Sequence, residues 1–249
     1  MNIALLLSGG TGTRMGTDIP KQYIEAGGKR ICSYCMETLF AHPGIDAVQI
    51  VADPVWQETI VLCGRQLPDG RFWDAKFRGF SLPGENRQMS IFHGLEDMKK
   101  YAEDETLVLV HDAARPLLSP EQVTACLQGA EGHDGAMPVL PMKDTVYYSR
   151  DGQTVGELLD RSTIYAGQAP EVFVLGRYYE ANQRLMPDDI LQINGSTEPA
   201  ILAGMDIAMI PGDEGNFKIT TKADLEQFNR IIAEGKEIRL PQSARGDRN

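Results

Sequence analysis

The stretch that most constrains this chain is its opening. An unbroken apolar run, Ile3 to Leu7, stops abruptly at Ser8-Gly9-Gly10-Thr11-Gly12-Thr13-Arg14-Met15-Gly16 and is closed by Pro20-Lys21-Gln22-Tyr23. Continuous apolarity, rather than alternation, marks a strand buried on both faces, as in a parallel sheet. The glycines let the backbone turn tightly and bring bare N–H groups against a ligand. Arg14 and Lys21 add two cations beside that cradle. Backbone donors with fixed positive charge suit a triphosphate whose charge must be held while it reacts. Two familiar phosphate loops do not match. A dinucleotide fingerprint needs a glycine where Met15 stands, and a P-loop ends in Gly-Lys-Ser/Thr, which does not occur in this chain.

Further apolar runs follow at Ala47–Ala52, Phe77–Leu82, Leu107–Val110, Gly135–Leu140 and Ile207–Ile210. Between them the spacing predicts helices over Arg30–Ala41, Pro54–Leu67, the segment after Asn86, Ser119–Glu131, Leu175–Leu185 and Asp224–Gly235. Such alternation predicts one α/β domain with a mainly parallel twisted sheet, here residues 1–240. Two β-prone segments around Ser149-Arg150-Asp151-Gly152 read as a β-hairpin within a projecting arm at about 141–165. The polar tail, 241–249, is expected to be disordered.

A net charge of −11 argues against nucleic acid or an anionic membrane as the main partner. No run approaches membrane-spanning length and no signal peptide is apparent, so a cytoplasmic protein is expected. Cys32 and Cys35 lie inside an amphipathic run with no second ligand pair, and read as buried helix residues. His42, His93 and His133 read as surface or helix residues, and His111 as a brace for its turn.

Three more stretches carry chemistry. Pro83-Gly84-Glu85-Asn86-Arg87-Gln88-Met89-Ser90 is a glycine turn entering a helix, which aims N–H donors and a helix dipole at one spot. Val110-His111-Asp112-Ala113-Ala114-Arg115-Pro116 puts a carboxylate at the carboxyl end of a buried strand, where open α/β sheets bind ligands. Asp112 suits magnesium or a salt bridge to Arg115, and the small Ala113 and Ala114 leave room. Gly215-Asn216-Phe217-Lys218-Ile219-Thr220 offers a third cation, Lys218, after Asp213 and Glu214.

In this order, these motifs resemble the cytidylyltransferases that act on methylerythritol phosphate and ribitol phosphate, from Ile3 to about Ile232. The resemblance implies a Rossmann-like nucleotidyltransferase fold, CTP and a polyol phosphate as substrates, Mg2+ as cofactor, and pyrophosphate as product. It assigns catalysis to Arg14, Lys21 and Lys218, and nucleotide binding to Leu7, Ser8, Gly9, Gly10, Gly12, Gly84, Arg87, Ser90 and Ala113. Acceptor binding falls to Asp112, Arg115, Thr145, Arg161 and Thr197, and metal binding to Asp112 and Asp213. It also implies a homodimer in which the arm carries Thr145 and Arg161 into the partner's site. Departures stand at Ala169, Pro199 and Phe217. Methylerythritol phosphate is the favoured acceptor and ribitol phosphate the alternative. A uridylyl- or thymidylyltransferase on a sugar 1-phosphate, and a nucleotide-binding protein that has lost turnover, are the other readings weighed.

Overall fold

The opening apolar run becomes the middle of the sheet. The structure, a computed structural model, describes residues 1–10 and 19–235. Strand β1 (Asn2–Leu7) leads to a small hairpin, β2 (Glu25–Ala26) and β3 (Lys29–Arg30), and to helix α1 (Ile31–Ala41). Next come β4 (Ala47–Val51), α2 (Pro54–Arg65), α3 (Gly70–Lys76), β5 (Phe77–Ser81), α4 (Arg87–Met98) and β6 (Leu107–Asp112). The second half holds α5 (Pro120–Gly129), β7 (Gly135–Pro141), β8 (Val146–Tyr148), β9 (Glu157–Leu159), β10 (Tyr165–Gly167) and β11 (Glu171–Val174). It closes with α6 (Leu175–Gln183), α7 (Glu198–Leu202), β12 (Ile207–Pro211) and α8 (Lys222–Ala233).

β1 lies between β4 and β6, parallel to both, and β4 in turn pairs with β5. Alternate residues of β1 feed opposite layers. Ala4 and Leu6 pack with Val48, Ile50 and Leu109 under α1, α2 and α5, while Ile3 and Leu5 join Val108, Val110 and Phe173 under α4 and α6. Burial on both faces is why these strands are apolar throughout. Local chemistry sets the helix starts: Asn86 caps α4 by accepting Met89 N–H at 2.7 Å, and Ser119 caps α5 ahead of Pro120.

The expected fold class holds, with a mostly parallel central sheet. Its antiparallel part is more specific than the sequence reading: β10 and β11 run antiparallel along one edge of β7, and β12 runs parallel along the other. The expected hairpin forms as β8 and β9. The four cysteines are free and buried. Of the two places expected for His42, surface or helix, it takes the helix end. It is buried at the end of α1, where Nδ1 accepts Gly44 N–H and Nε2 meets Thr124 Oγ1, each at 3.0 Å. Among the described residues, no helix is long and apolar enough to cross a membrane.

Candidate functional site

Because β1, β4, β5 and β6 are parallel, their carboxyl ends meet at one edge of the sheet, where the turns enclose a cavity of about 380 Å3. Leu7, Gly9, Gly10 and Lys21 line one side, Gly84, Asn86, Arg87 and Ser90 another, and Asp112, Ala114 and Lys218 a third.

The first turn is held from beneath. Gln22 Nε2 donates to the carbonyls of Ser8 and Gly10, both at 2.8 Å. The Tyr23 hydroxyl donates to Ser8 O at 2.7 Å, and its ring stacks on Trp56 with centroids 4.5 Å apart. Burial pushes the Tyr23 hydroxyl well above its usual range, so it stays a donor. These bonds fix the single helical turn Lys21–Tyr23, and with it Lys21, against the cavity.

Steric fit sets the second turn. A Cβ on Gly84 would fall 2.2 Å from Met89 Cγ, and one on Gly9 would fall 2.7 Å from Pro83 Cβ. A side chain at position 9 would press the two turns apart, and one at position 84 would press its turn off the start of α4. Gly84 N–H donates to Ser90 Oγ at 2.9 Å, and that hydroxyl donates to Asn86 O.

Asp112 is the charge centre. Arg87 Nε donates to Oδ1 at 3.1 Å, Lys218 Nζ lies 3.0 Å from Oδ2, and Arg115 Nε lies 3.6 Å from Oδ2. Burial alone would raise this carboxyl, but the charges of Arg87, Lys218 and Arg115 outweigh it and hold Asp112 far below the usual carboxylate range. Backbone ties bring Lys218 here. Ile219 N–H donates to Ala114 O at 2.9 Å while its side chain packs with Ala26, Ile31, Tyr34 and Phe228. Arg115 Nη1 also donates to Asn216 O at 2.8 Å. His111 is fully buried with Nε2 3.0 Å from Arg115 O, and burial pushes it down to about 4. It is therefore neutral and structural, as the sequence suggested.

Not every expected residue reaches the cavity. Ser8 is buried under its own loop and Ala113 in the core, while the adjacent Ala114 lines the cavity. Arg115 faces a neighbouring open cavity of about 480 Å3, shared with Lys218, Lys143 and Phe217 at the root of the arm. Thr145 and Arg161 are exposed on the arm, where Arg161 Nη1 donates to Lys143 O at 2.7 Å. Thr197 Oγ1 donates to Glu171 Oε1 at 3.0 Å. Gly12 and Arg14 lie outside the described residues, as does the tail from 236 onward. Residues not expected are Gln22 and Asn86, which hold the two turns, and the buried Glu171. A carboxylate heading the apolar string Glu171-Val172-Phe173-Val174 was the available signal for the last.

The side chains present do not make a magnesium site by themselves. Asp112 already has cations on both oxygens, and Asp213 uses Oδ1 to accept Gly215 N–H at 2.7 Å. Among the described residues, no group of three or more His, Cys, Asp or Glu side chains converges as ligands would.

The family model for 2-C-methyl-D-erythritol 4-phosphate cytidylyltransferase matches residues 2–234. The chain is 34% identical over 238 residues to a protein of that name from Rubrobacter xylanophilus, covering 93% of this chain and 94% of the relative. It is 30% identical over 232 residues to a ribitol-5-phosphate cytidylyltransferase of Streptococcus agalactiae serotype V, covering 93% and 95%. In fold it is similar to the crystal structure of 4-diphosphocytidyl-2C-methyl-D-erythritol synthase from Anaerococcus prevotii, with a TM-score of 0.77, 22% identity, and coverage of 94% and 98%. Since the match runs through every turn that borders the cavity, the chain belongs to the 2-C-methyl-D-erythritol 4-phosphate cytidylyltransferase family, whose members are CTP-dependent nucleotidyltransferases.

Proposed function

We propose that this protein transfers CMP from CTP to 2-C-methyl-D-erythritol 4-phosphate and releases pyrophosphate. The observation that carries this reading is the convergence of Lys21, Arg87 and Lys218 on one glycine-walled cavity at the carboxyl ends of the parallel strands.

In this reading the nucleotide lies between the two glycine turns, with Gly9, Gly10 and Gly84 close to it. Lys21 and Lys218 face the phosphates, and the family resemblance assigns Arg14 to the same task. An acceptor phosphate oxygen attacks the α-phosphorus in line. One P–O bond forms there as the bond to the β-phosphate bridging oxygen breaks, and the electron pair leaves with pyrophosphate. No protein nucleophile is needed, so catalysis is alignment plus charge stabilisation. Asp112 holds Lys218 at the junction, and Arg115 faces the acceptor side. Asp112 and Asp213 do not form a site for magnesium by themselves, and an ion arriving with the nucleotide would neutralise part of the phosphate charge. The acceptor side is completed by Thr145 and Arg161 from the arm of a second copy, in a cytoplasmic homodimer whose nucleotidyltransferase domain spans 1–240.

Ribitol 5-phosphate is the second reading, favoured by the S. agalactiae relative. Pyrophosphate release from CTP, measured with magnesium and each polyol phosphate in parallel, separates the two. Release with methylerythritol phosphate is expected. Release only with ribitol phosphate replaces the acceptor, and silence with both while CTP still binds overturns the transfer reading.

A further inference from the structure

Glu171 has no place in the scheme above, yet it is one of two carboxylates crowning the same face of the sheet. β11 runs antiparallel to β6 with Glu171 opposite Val110. Asp112, two residues further along β6, therefore projects from the same face, above the layer of Ile3, Leu5, Val108 and Phe173. Both carboxylates are 7% exposed. Buried anions persist only when they are partnered.

Arg87, in the first turn of α4, spans the pair. Its Nε donates to Asp112 Oδ1 at 3.1 Å, and its Nη2 stands 3.9 Å from Glu171 Oε2. Hydroxyls fill the rest of Glu171: Ser196 donates to Oε2 and Thr197 to Oε1. A parallel tie runs from Gln88, beside Arg87, to the Tyr178 hydroxyl at 3.0 Å, and from that hydroxyl to Ser196 O at 2.6 Å. The segment around Ser196 and Thr197 is thus fastened to the turn that lines the nucleotide cavity.

We propose that Glu171 is a positioning residue, which holds the outer nitrogen of Arg87 so that this cation is shared between two carboxylates and Asp112 Oδ2 is left to Lys218 and Arg115. The proposal rests on the roles given above to Asp112 and Lys218, and deepens them. Charge explains the need for a second anion. Arg87, Arg115 and Lys218 all face Asp112. With Glu171 neutral, Arg87 has Asp112 as its only counter-ion in this group and competes with Lys218 for it. The Thr197 hydroxyl faces Glu171 Oε1 at 3.0 Å and Met137 Sδ at 3.2 Å, so in this chain Thr197 serves the clamp before it serves any acceptor.

Two measurements on the full-length protein test this. The first needs no acceptor: hydrogen exchange at Arg87 Nε–H, assigned in the 15N spectrum by its loss in Arg87→Lys. Glu171→Gln is expected to speed that exchange about tenfold or more, and Glu171→Asp, which keeps the charge, to recover part of the protection. Exchange within about twofold of the parent overturns the proposal. The second is steady-state turnover with CTP and whichever polyol phosphate releases pyrophosphate. Glu171→Gln is expected to raise KM for CTP about tenfold, because Arg87 and Lys218 line the nucleotide cavity, while KM for the polyol phosphate moves less than about threefold. Equal change in both constants, or equal loss in Glu171→Asp and Glu171→Gln with a lowered Tm, makes the residue merely structural and overturns it. Should Glu171→Gln not fold, Ser196→Ala, which removes a donor and no charge, carries the same readouts. A parent protein silent with both acceptors defeats the acceptor reading instead, and the exchange measurement then decides this one.

Discussion

At the cavity, Gln22 alone makes two hydrogen bonds to the glycine loop, and Asp112 gathers three cations from three segments. In the arm, β8 and β9 pair with each other, while Tyr147, Val155 and Leu158 are 56%, 71% and 63% exposed. A two-stranded ribbon with that much apolar surface is marginal alone. It gains stability only against something else. The contrast separates the two halves of the site. The half proposed for the nucleotide is tied together within one chain, whereas the arm residues proposed for the acceptor, Thr145 and Arg161, line neither cavity. That is the pattern expected if a second copy supplies them, as proposed.

The largest expected effect tests the tied half. Lys21→Ala should lower kcat about 100-fold in a protein that still folds, as loss of a charge-stabilising donor does. Near-normal turnover would mean that the pinned turn does not hold the reacting phosphates. His111 tests the same half through stability. Folded, it titrates near 4, whereas an unfolded histidine titrates near 6.5, so between these values the unfolded chain binds the extra proton. Stability should therefore rise with pH in this window, and be lost on acidification by about 2 kcal/mol between pH 7 and pH 4.5. His111→Gln should lose that share of the slope in denaturant titrations. An unchanged slope would mean that His111 is not held neutral. Arg161→Ala tests the loose half. It should raise KM for the polyol phosphate about tenfold, with KM for CTP unchanged. Mixing it with an inactive Lys21→Ala partner should restore part of the activity if sites form between copies, and restore none if each chain completes its own.

What was legible in the sequence was whatever local pattern fixes. The apolar run into Gly9 and Gly10, the turn at Gly84 and the strand-end Asp112 all line the cavity, because a buried parallel strand must end in a turn at the ligand edge. Side-chain direction was not legible. Ser8 and Ala113 sit in the right turns yet point inward, and Ala114, one residue on, lines the cavity. Nor could spacing reveal contacts made across the sheet. Glu171 meets Arg87 only because β11 is inserted antiparallel beside β6, which no stretch of either segment records. Gln22 lay within a motif read for its lysine, and its amide reaches back to carbonyls twelve and fourteen residues earlier.

The smallest expected effect lies at the border between the halves, at Asp213. Its position after β12 invited pairing with Asp112 around a metal ion. Here its backbone N–H donates to Gln168 Oε1 at 2.9 Å, its carbonyl accepts from Gln168 Nε2 at 3.0 Å, and its carboxylate closes the turn onto Gly215. All three contacts hold a loop, and none faces the cavity cations. Asp213→Asn keeps the size and an acceptor oxygen for Gly215, so the loop that delivers Lys218 should persist. Turnover is then expected to change less than about threefold, with the magnesium concentration for half-maximal rate unmoved, as follows if Asp213 is not a ligand of the ion. A requirement for much more magnesium in the variant would return Asp213 to the metal, and would mean that the loop swings inward once the nucleotide is bound. The cavity side would then be less rigid than its hydrogen bonds suggest, and the contrast with the arm correspondingly weaker.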